Sequence, residues 1–207
     1  LYHLSYGMVN LPEGKMKSRE GTVVDADDLI KNVQELAKGE IKERYPELKE
    51  KELKERSLKI ALSALKYSLL KVNRSNTMLF NPKEEVSFEG NTGPYIQYAY
   101  ARASSIIKKS KKKPKLSNKD KIEEKESELI KKLGEFPEIV AQAEKQLNPA
   151  IIANYSFQLA QTFNEFYHSS KVIDSEKEAF LLSLVESFRI VIKQALFLLG
   201  IDVIKEM

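Results

Sequence analysis

Apolar residues recur at three- and four-residue intervals along most of this chain, and that period predicts α-helix. Leu29, Val33, Leu36 and Ala37 carry it after the acidic run Asp25 to Asp28, where a helix N-terminus favours negative charge. That helix is expected to end about Tyr45, before Pro46. A second is expected over about 48–72, with Leu58, Ala61, Leu62, Leu65, Leu69 and Leu70 as its core-facing stripe. A third starts near Pro94, a residue favoured in the first helical turn. It carries Tyr95, Ile96, Tyr98, Ala99, Arg102, Ile106 and Ile107. Another, over about 119–134, holds Ile122, Leu129, Ile130 and Leu133. Gly134 and Pro137 break it, and Phe136, Ile139, Val140 and Ala143 continue beyond.

Asn148-Pro149 supplies an N-cap and a first-turn proline. The helix it opens has Ile152, Tyr155, Leu159, Phe163, Phe166 and Tyr167 on one face. Ser175 and Glu178 have capping-box spacing ahead of a long apolar stretch from Phe180 to Leu199, with Gly200 as its stop. Two regions break the helical period. Residues 1–10 alternate loosely, with Leu4, Tyr6 and Met8 on one side, and suit a short strand; Pro12, Gly14 and Gly21 then punctuate a loop. Residues 73–90 are mixed, with Asn81-Pro82 as a break. The fold class expected is mainly α: an antiparallel helical bundle preceded by a short strand and loop.

Composition narrows the chemistry. The 207 residues include no cysteine and two histidines, His3 and His168, which excludes disulfides, thiolate metal sites and histidine-rich metal sites. The formal charge is only +4, so an anionic partner must meet a local patch. No stretch of about 18 apolar residues is present, so no membrane span is expected, nor is a signal peptide visible. The opening on Leu1 inside a strand-like segment suggests a fragment whose missing part lies upstream. The lysine run from Lys108 to Lys121 reads equally as a solvated loop or as a contact for RNA phosphates.

Two segments carry candidate chemistry. Gly14 to Gly21 is a glycine-flanked loop in which Lys15, Lys17 and Ser18 suit a polyphosphate, although a charged surface turn has the same composition. Glu89 to Arg102 crowds three tyrosines, a glutamine and an arginine at one helix start. Tyr98 and Arg102 are i, i+4 neighbours, a pairing that suits stacking on splayed-out bases and contact with phosphate. A half-buried helix with packed tyrosines is the competing reading.

KMKSREG after SYGMVNLPEG resembles the lysine-rich signature loop of class I aminoacyl-tRNA synthetases, and SFEGNTGPYIQYAYAR resembles the stretch opening the anticodon-binding domain of the arginyl-tRNA synthetase family. Their combination, roughly 75 residues apart, is more specific than either piece. The ending LFLLGIDVIKEM is similar to that family's as well. The resemblance implies ligation of arginine to its tRNA with ATP and Mg²⁺, through an arginyl-adenylate, by a cytoplasmic and monomeric enzyme. It implies that Lys15, Met16, Lys17, Ser18 and Arg19 contact the ATP phosphates, with Lys15, Lys17 and Ser18 catalytic. The usual loop has serine third and often lysine fourth; here Lys17 is third and Ser18 fourth, which leaves open which lysine reaches the phosphates. The resemblance also implies that Tyr98 and Arg102 match positions near the anticodon loop and that Tyr167 and Met207 match positions that shape the anticodon pocket, with a core role for Tyr167 and a frayed end for Met207 as the competing readings.

The resemblance also divides the chain. Residues 1–78 would be the end of the catalytic domain with connecting helices, and 79–207 the helical anticodon-binding domain. The HIGH-type motif is absent, so the partners implied are an arginine-accepting tRNA and a missing N-terminal catalytic domain, with no membrane. The chain alone is expected to bind no cofactor and form no adenylate. The alternatives are a non-catalytic helical RNA-binding module using the lysine run and a helical scaffold that binds protein.

Overall fold

A computed structural model of the chain describes residues 3–12, 25–115 and 121–206. In order they form β1 (Val9–Asn10), α1 (Ala26–Arg44), α2 (Glu50–Lys71), β2 (Met78–Leu79), α3 (Pro82–Glu85), α4 (Gly93–Lys109), α5 (Glu124–Gly134), α6 (Phe136–Gln146), α7 (Ala150–Ser169) and α8 (Glu178–Leu198). The mainly α bundle expected from the periodicity is what these residues build, with β1 and β2 as a parallel pair beside it. Among the described residues no helix is long and apolar enough to cross a membrane.

The helix ends follow side-chain chemistry. Asp25 accepts from the Asp27 N–H at 2.8 Å and starts α1. Thr92 accepts from the Tyr95 N–H at 3.2 Å and starts α4, with Pro94 in the first turn. Asn148 accepts from the Ala150 N–H at 3.2 Å just ahead of α7, whose N-cap is Pro149 rather than Asn148, so the proline stands before the first turn and not in it. Gly200, at φ +68°, turns the chain out of α8 where a Cβ would be strained.

The main core lies among α4, α7 and α8. Ile96, Tyr100, Leu159, Phe163, Phe166, Leu181, Phe188 and Ile192 are all buried there, and the Phe163 and Phe188 rings stack at 3.9 Å. α5 and α6 pack on α7, and α2 reaches α4 and α7 from the other side. α1 lies along α2, where Val33, Ala37 and Ile41 meet Leu53, Ile60, Ala61 and Ala64 in two smaller clusters.

Four local expectations are corrected. On α2, Leu58 and Leu69 are exposed, whereas Leu53, Ser57, Ile60, Ala64 and Tyr67 are buried. Ala61 and Leu65 of the expected stripe are buried as well, and small residues such as Ser63 share this face where α4 comes close. A methyl at Gly93 would collide with the Ser63 carbonyl and hydroxyl. In the opening segment only Val9 and Asn10 pair as strand, and Leu4, Tyr6 and Met8 are exposed. Asn81-Pro82 does not break structure but starts it: Asn81 accepts from the Lys83 N–H and Pro82 opens α3. Ser175 and Glu178 make no capping box. Ser175 donates to the Val172 carbonyl, and Glu178 is drawn inward to Ser110.

Candidate nucleic-acid interface

α4 has two faces. Ile96, Ala99, Tyr100 and Ala103 are buried, and the opposite side leaves Tyr95, Tyr98 and Arg102 half-buried. One helical turn places the Arg102 guanidinium 4.9 Å from the centre of the Tyr98 ring. α7 brings Tyr167 to the same group at 5.0 Å, so the cation is held by two rings from different helices. Arg102 Nη1 donates to Asn164 Oδ1 at 2.6 Å, and Asn164 Nδ2 donates to the Tyr95 hydroxyl at 2.8 Å. Such guanidinium–ring contacts contribute about 0.5–2 kcal/mol each as water is excluded. Tyr167 is 37% exposed, so the stack opens to solvent on one side.

The aromatic row continues the other way. Tyr98 meets Phe88 edge-on at 6.4 Å, and the Arg44 guanidinium lies 4.5 Å over Phe88. Phe88 sits in the 87–92 loop, which is tied down at several points. Thr92 donates to the Ser87 carbonyl at 2.6 Å, and Lys71 donates to the Asn91 carbonyl at 2.9 Å while pairing with Glu85 at 2.9 Å. The Tyr67 hydroxyl lies 2.6 Å from Asn91 Oδ1. Burial, reinforced by the Glu85 charge, pushes its pKa well above the usual value, so it stays a neutral donor. The tail after α8 runs alongside. Gln97 Nε2 donates to the Asp202 carbonyl at 2.7 Å, Ile204 packs with Ile60 and Phe88, and Lys108 pairs with Glu206 at 2.6 Å.

Beyond Arg102 a groove of about 360 Å³ opens between the end of α4 and the turn joining α7 to α8. Arg102, Ser105, Ile106 and Lys109 form one wall, and Tyr167, Ser170, Lys171 and Val172 form the other. A half-buried guanidinium between two rings, beside a groove bearing further cations, can receive a flat ring and an anion together.

Comparison with known proteins gives the family. The family model described as DALR anticodon binding domain matches residues 96–207. The chain belongs to the DALR anticodon-binding domain family. Ahead of the DALR domain, residues 1–82 match the model of the class I tRNA synthetase (R) catalytic domain. An arginine–tRNA ligase of Flavobacterium psychrophilum is 45% identical over 212 residues, which cover 100% of this chain and 35% of that protein. One of Borrelia hermsii is 45% identical, covering 100% of this chain and 36% of that protein. The chain thus spans about a third of the length of the curated relatives it matches. Among solved structures, the arginyl-tRNA synthetase of Thermus thermophilus superposes with a TM-score of 0.88 at 30% identity, covering 99% of this chain and 35% of that one. That of Plasmodium falciparum gives 0.82 at 27%, again covering 99% and 35%.

Within the DALR domain the structure brings Tyr167 to the helix neighbours Tyr98 and Arg102, although it lies far from them in sequence. Tyr167 is not a core aromatic, although it continues the apolar face of α7 in the sequence. Tyr100 is core, with the Arg189 guanidinium 5.7 Å from its ring. His168 is exposed and meets Tyr167 edge-on at 5.7 Å. Lys15, Met16, Lys17, Ser18, Arg19 and Met207 lie outside the described residues. Among the described residues no group of three or more His, Cys, Asp or Glu is placed to hold a metal ion. Sequence reasoning missed Asn164, Phe88 and Arg44. Asn164 stands three residues before Tyr167 on the same helix face, a signal that was legible; Arg44 reaches Phe88 only through tertiary packing.

Proposed function

We propose that this chain is the tRNA-binding part of an arginine–tRNA ligase, reading the anticodon of an arginine-accepting tRNA with Tyr98, Arg102, Tyr167 and Met207. The observation that carries the reading is the Arg102 guanidinium held between Tyr98 and Tyr167 beside an open groove, in a DALR domain. Unpaired anticodon bases present π-faces and phosphates, and stacking of about 1–3 kcal/mol per base with an adjacent guanidinium is the chemistry that receives them. Residues 79–207 serve this role, and residues 1–78 belong to the catalytic side.

On that side the 14–21 loop, with Lys15, Met16, Lys17, Ser18 and Arg19, holds the phosphates of ATP. Its ammonium groups offset charge that develops as pyrophosphate leaves. ATP and Mg²⁺ are used by the whole enzyme, which is cytoplasmic and monomeric. Adenylate formation needs the nucleotide-binding domain, and the match to about a third of each relative supports its lying outside this chain.

The test is affinity for arginine-accepting tRNA against the same tRNA with one anticodon base changed. Tighter binding of the unaltered tRNA is expected, and equal affinity rejects the reading. In an enzyme carrying its catalytic domain, Lys15→Ala and Lys17→Ala should slow pyrophosphate exchange while leaving tRNA affinity unchanged. Unchanged exchange in both rejects the loop's role.

A further inference from the structure

We propose that the groove beyond Arg102 holds the sugar–phosphate backbone of the RNA strand whose base meets that guanidinium, with Lys109 and Lys171 as its phosphate-binding cations. The proposal rests on the anticodon reading above and assigns residues that reading does not use.

These two lysines stand on the groove lining and, unlike several of their neighbours, are not taken up by a carboxylate. Lys108 pairs with Glu206, Lys112 with Glu178, Lys125 with Glu128 and Glu165, and Lys177 with Glu123 and Glu126. Lys109 and Lys171 are exposed on the groove lining, and among the described residues neither makes an ion pair. With Arg102 they put three cations on a lining whose one carboxylate, among the described residues, is Asp174. Among those residues the lining offers no aromatic ring away from Tyr167. It offers ammonium groups, hydroxyls and the apolar walls Ile106 and Val172, which suit a phosphodiester chain rather than a second base.

The end of α4 and the turn after α7 are also fastened to each other. Glu178 is buried, accepts from the Ser110 hydroxyl at 2.6 Å and the Asp174 N–H at 3.2 Å, and pairs with Lys112 at 3.3 Å. The Lys115 N–H donates to the Ala179 carbonyl at 3.0 Å. One buried carboxylate therefore joins the end of α4, the lysine run and the 172–175 turn. Lys112 is engaged in this bond, so it acts as a fastening, while Lys109 at the start of the same run faces the groove. Glu178 is a positioning residue for the groove.

The experiment measures how affinity of the 207-residue chain for an arginine anticodon stem–loop RNA falls with salt. Lys109→Ala/Lys171→Ala is compared with the parent and with Lys145→Ala/Lys193→Ala, two exposed lysines outside the groove lining. Each single-strand phosphate that is no longer neutralised lowers the log–log slope by about 0.7, so the groove pair should lower it by about 1.4. Between about 50 and 200 mM salt the groove variant then loses about sevenfold less affinity than the parent. The control slope should match the parent, and the ratio of affinities for unaltered and altered anticodons should be the same in all three. An unchanged slope in the groove variant, or an equal fall in the control, overturns the proposal. A parent that fails to distinguish the anticodons overturns the proposed function instead, and the slope comparison still reads on the groove.

Discussion

Arg102 donates to Asn164 at 2.6 Å across the α4–α7 interface, and this bond turns a flexible side chain into a fixed plane. A free arginine loses up to about 2 kcal/mol of rotamer entropy when it is immobilised. Here the Tyr98 ring, the Tyr167 ring and the Asn164 amide have already imposed that order. Asn164→Ala should therefore weaken RNA binding about three- to tenfold with little change in melting temperature, because it releases Arg102 and the Tyr95 hydroxyl at a half-buried edge and removes no core side chain. Arg102→Lys should bind worse than Asn164→Ala, since an ammonium restores the charge but not the plane. Filter binding and thermal melts on the same samples separate these effects.

Tyr167 divides ring from hydroxyl. Its ring faces Arg102, and it lies at the mouth of the groove. Tyr167→Phe should bind RNA nearly as the parent does, whereas Tyr167→Ala should lose about 1–3 kcal/mol, or five- to 150-fold in affinity. Equal losses in both variants would move the role from the ring to the hydroxyl.

Stability rests elsewhere. Phe163 is fully buried, one turn before Tyr167 on α7, and stacks on Phe188 with the planes 7° apart. Phe163→Ala should cost about 3–5 kcal/mol in urea unfolding, because rigid neighbours on α4 and α8 leave a cavity. A cost below about 1 kcal/mol would mean that the bundle collapses around the gap.

Glu178 gives the fold an acid-sensitive fastening. The Ser110 hydroxyl, helped by Lys112 and the Asp174 N–H, holds its carboxyl below the usual value of 4.5 against the opposing effect of burial. A carboxyl lowered in the folded state contributes stability that is full above 4.5 and is lost as the pH falls through the folded value. Glu178→Gln should melt below the parent at neutral pH, and the two should converge in acid. A gap that stays constant with pH would show that the charge plays no part.

Much of this was readable from spacing alone, and the failures share a cause. α4 and α8 are legible because the apolar residues that recur at helical spacing, such as Ile96 and Ile106 or Leu181, Phe188 and Ile192, are ones they bury, although Ile190 and Phe197 of α8 face solvent. On α2 the two properties separate. Ser57, Ser63 and Ser68 are buried, and Leu58 and Leu69 face outward, so the expected stripe is right at Ala61 and Leu65 and wrong at its two outward leucines. Ser175 and Glu178 had the right separation for a cap, but Ser110, 68 residues before Glu178, supplied a partner that no local pattern contains. At the site, Tyr98 and Arg102 were legible as helix neighbours. Their closure by Tyr167 and Asn164 depends on how α4 and α7 pack, which periodicity does not encode.

The claim that Arg102 meets an anticodon base is tested most directly by a double-mutant cycle across the contact. Affinities are measured for parent and Arg102→Ala chains, each with arginine-accepting tRNA and with tRNA changed at one anticodon base. If the guanidinium and the base touch, the base change costs the parent about 1–3 kcal/mol and costs Arg102→Ala much less, a coupling of about 1 kcal/mol or more at one of the anticodon positions. Equal penalties in both chains at every anticodon position would contradict the account.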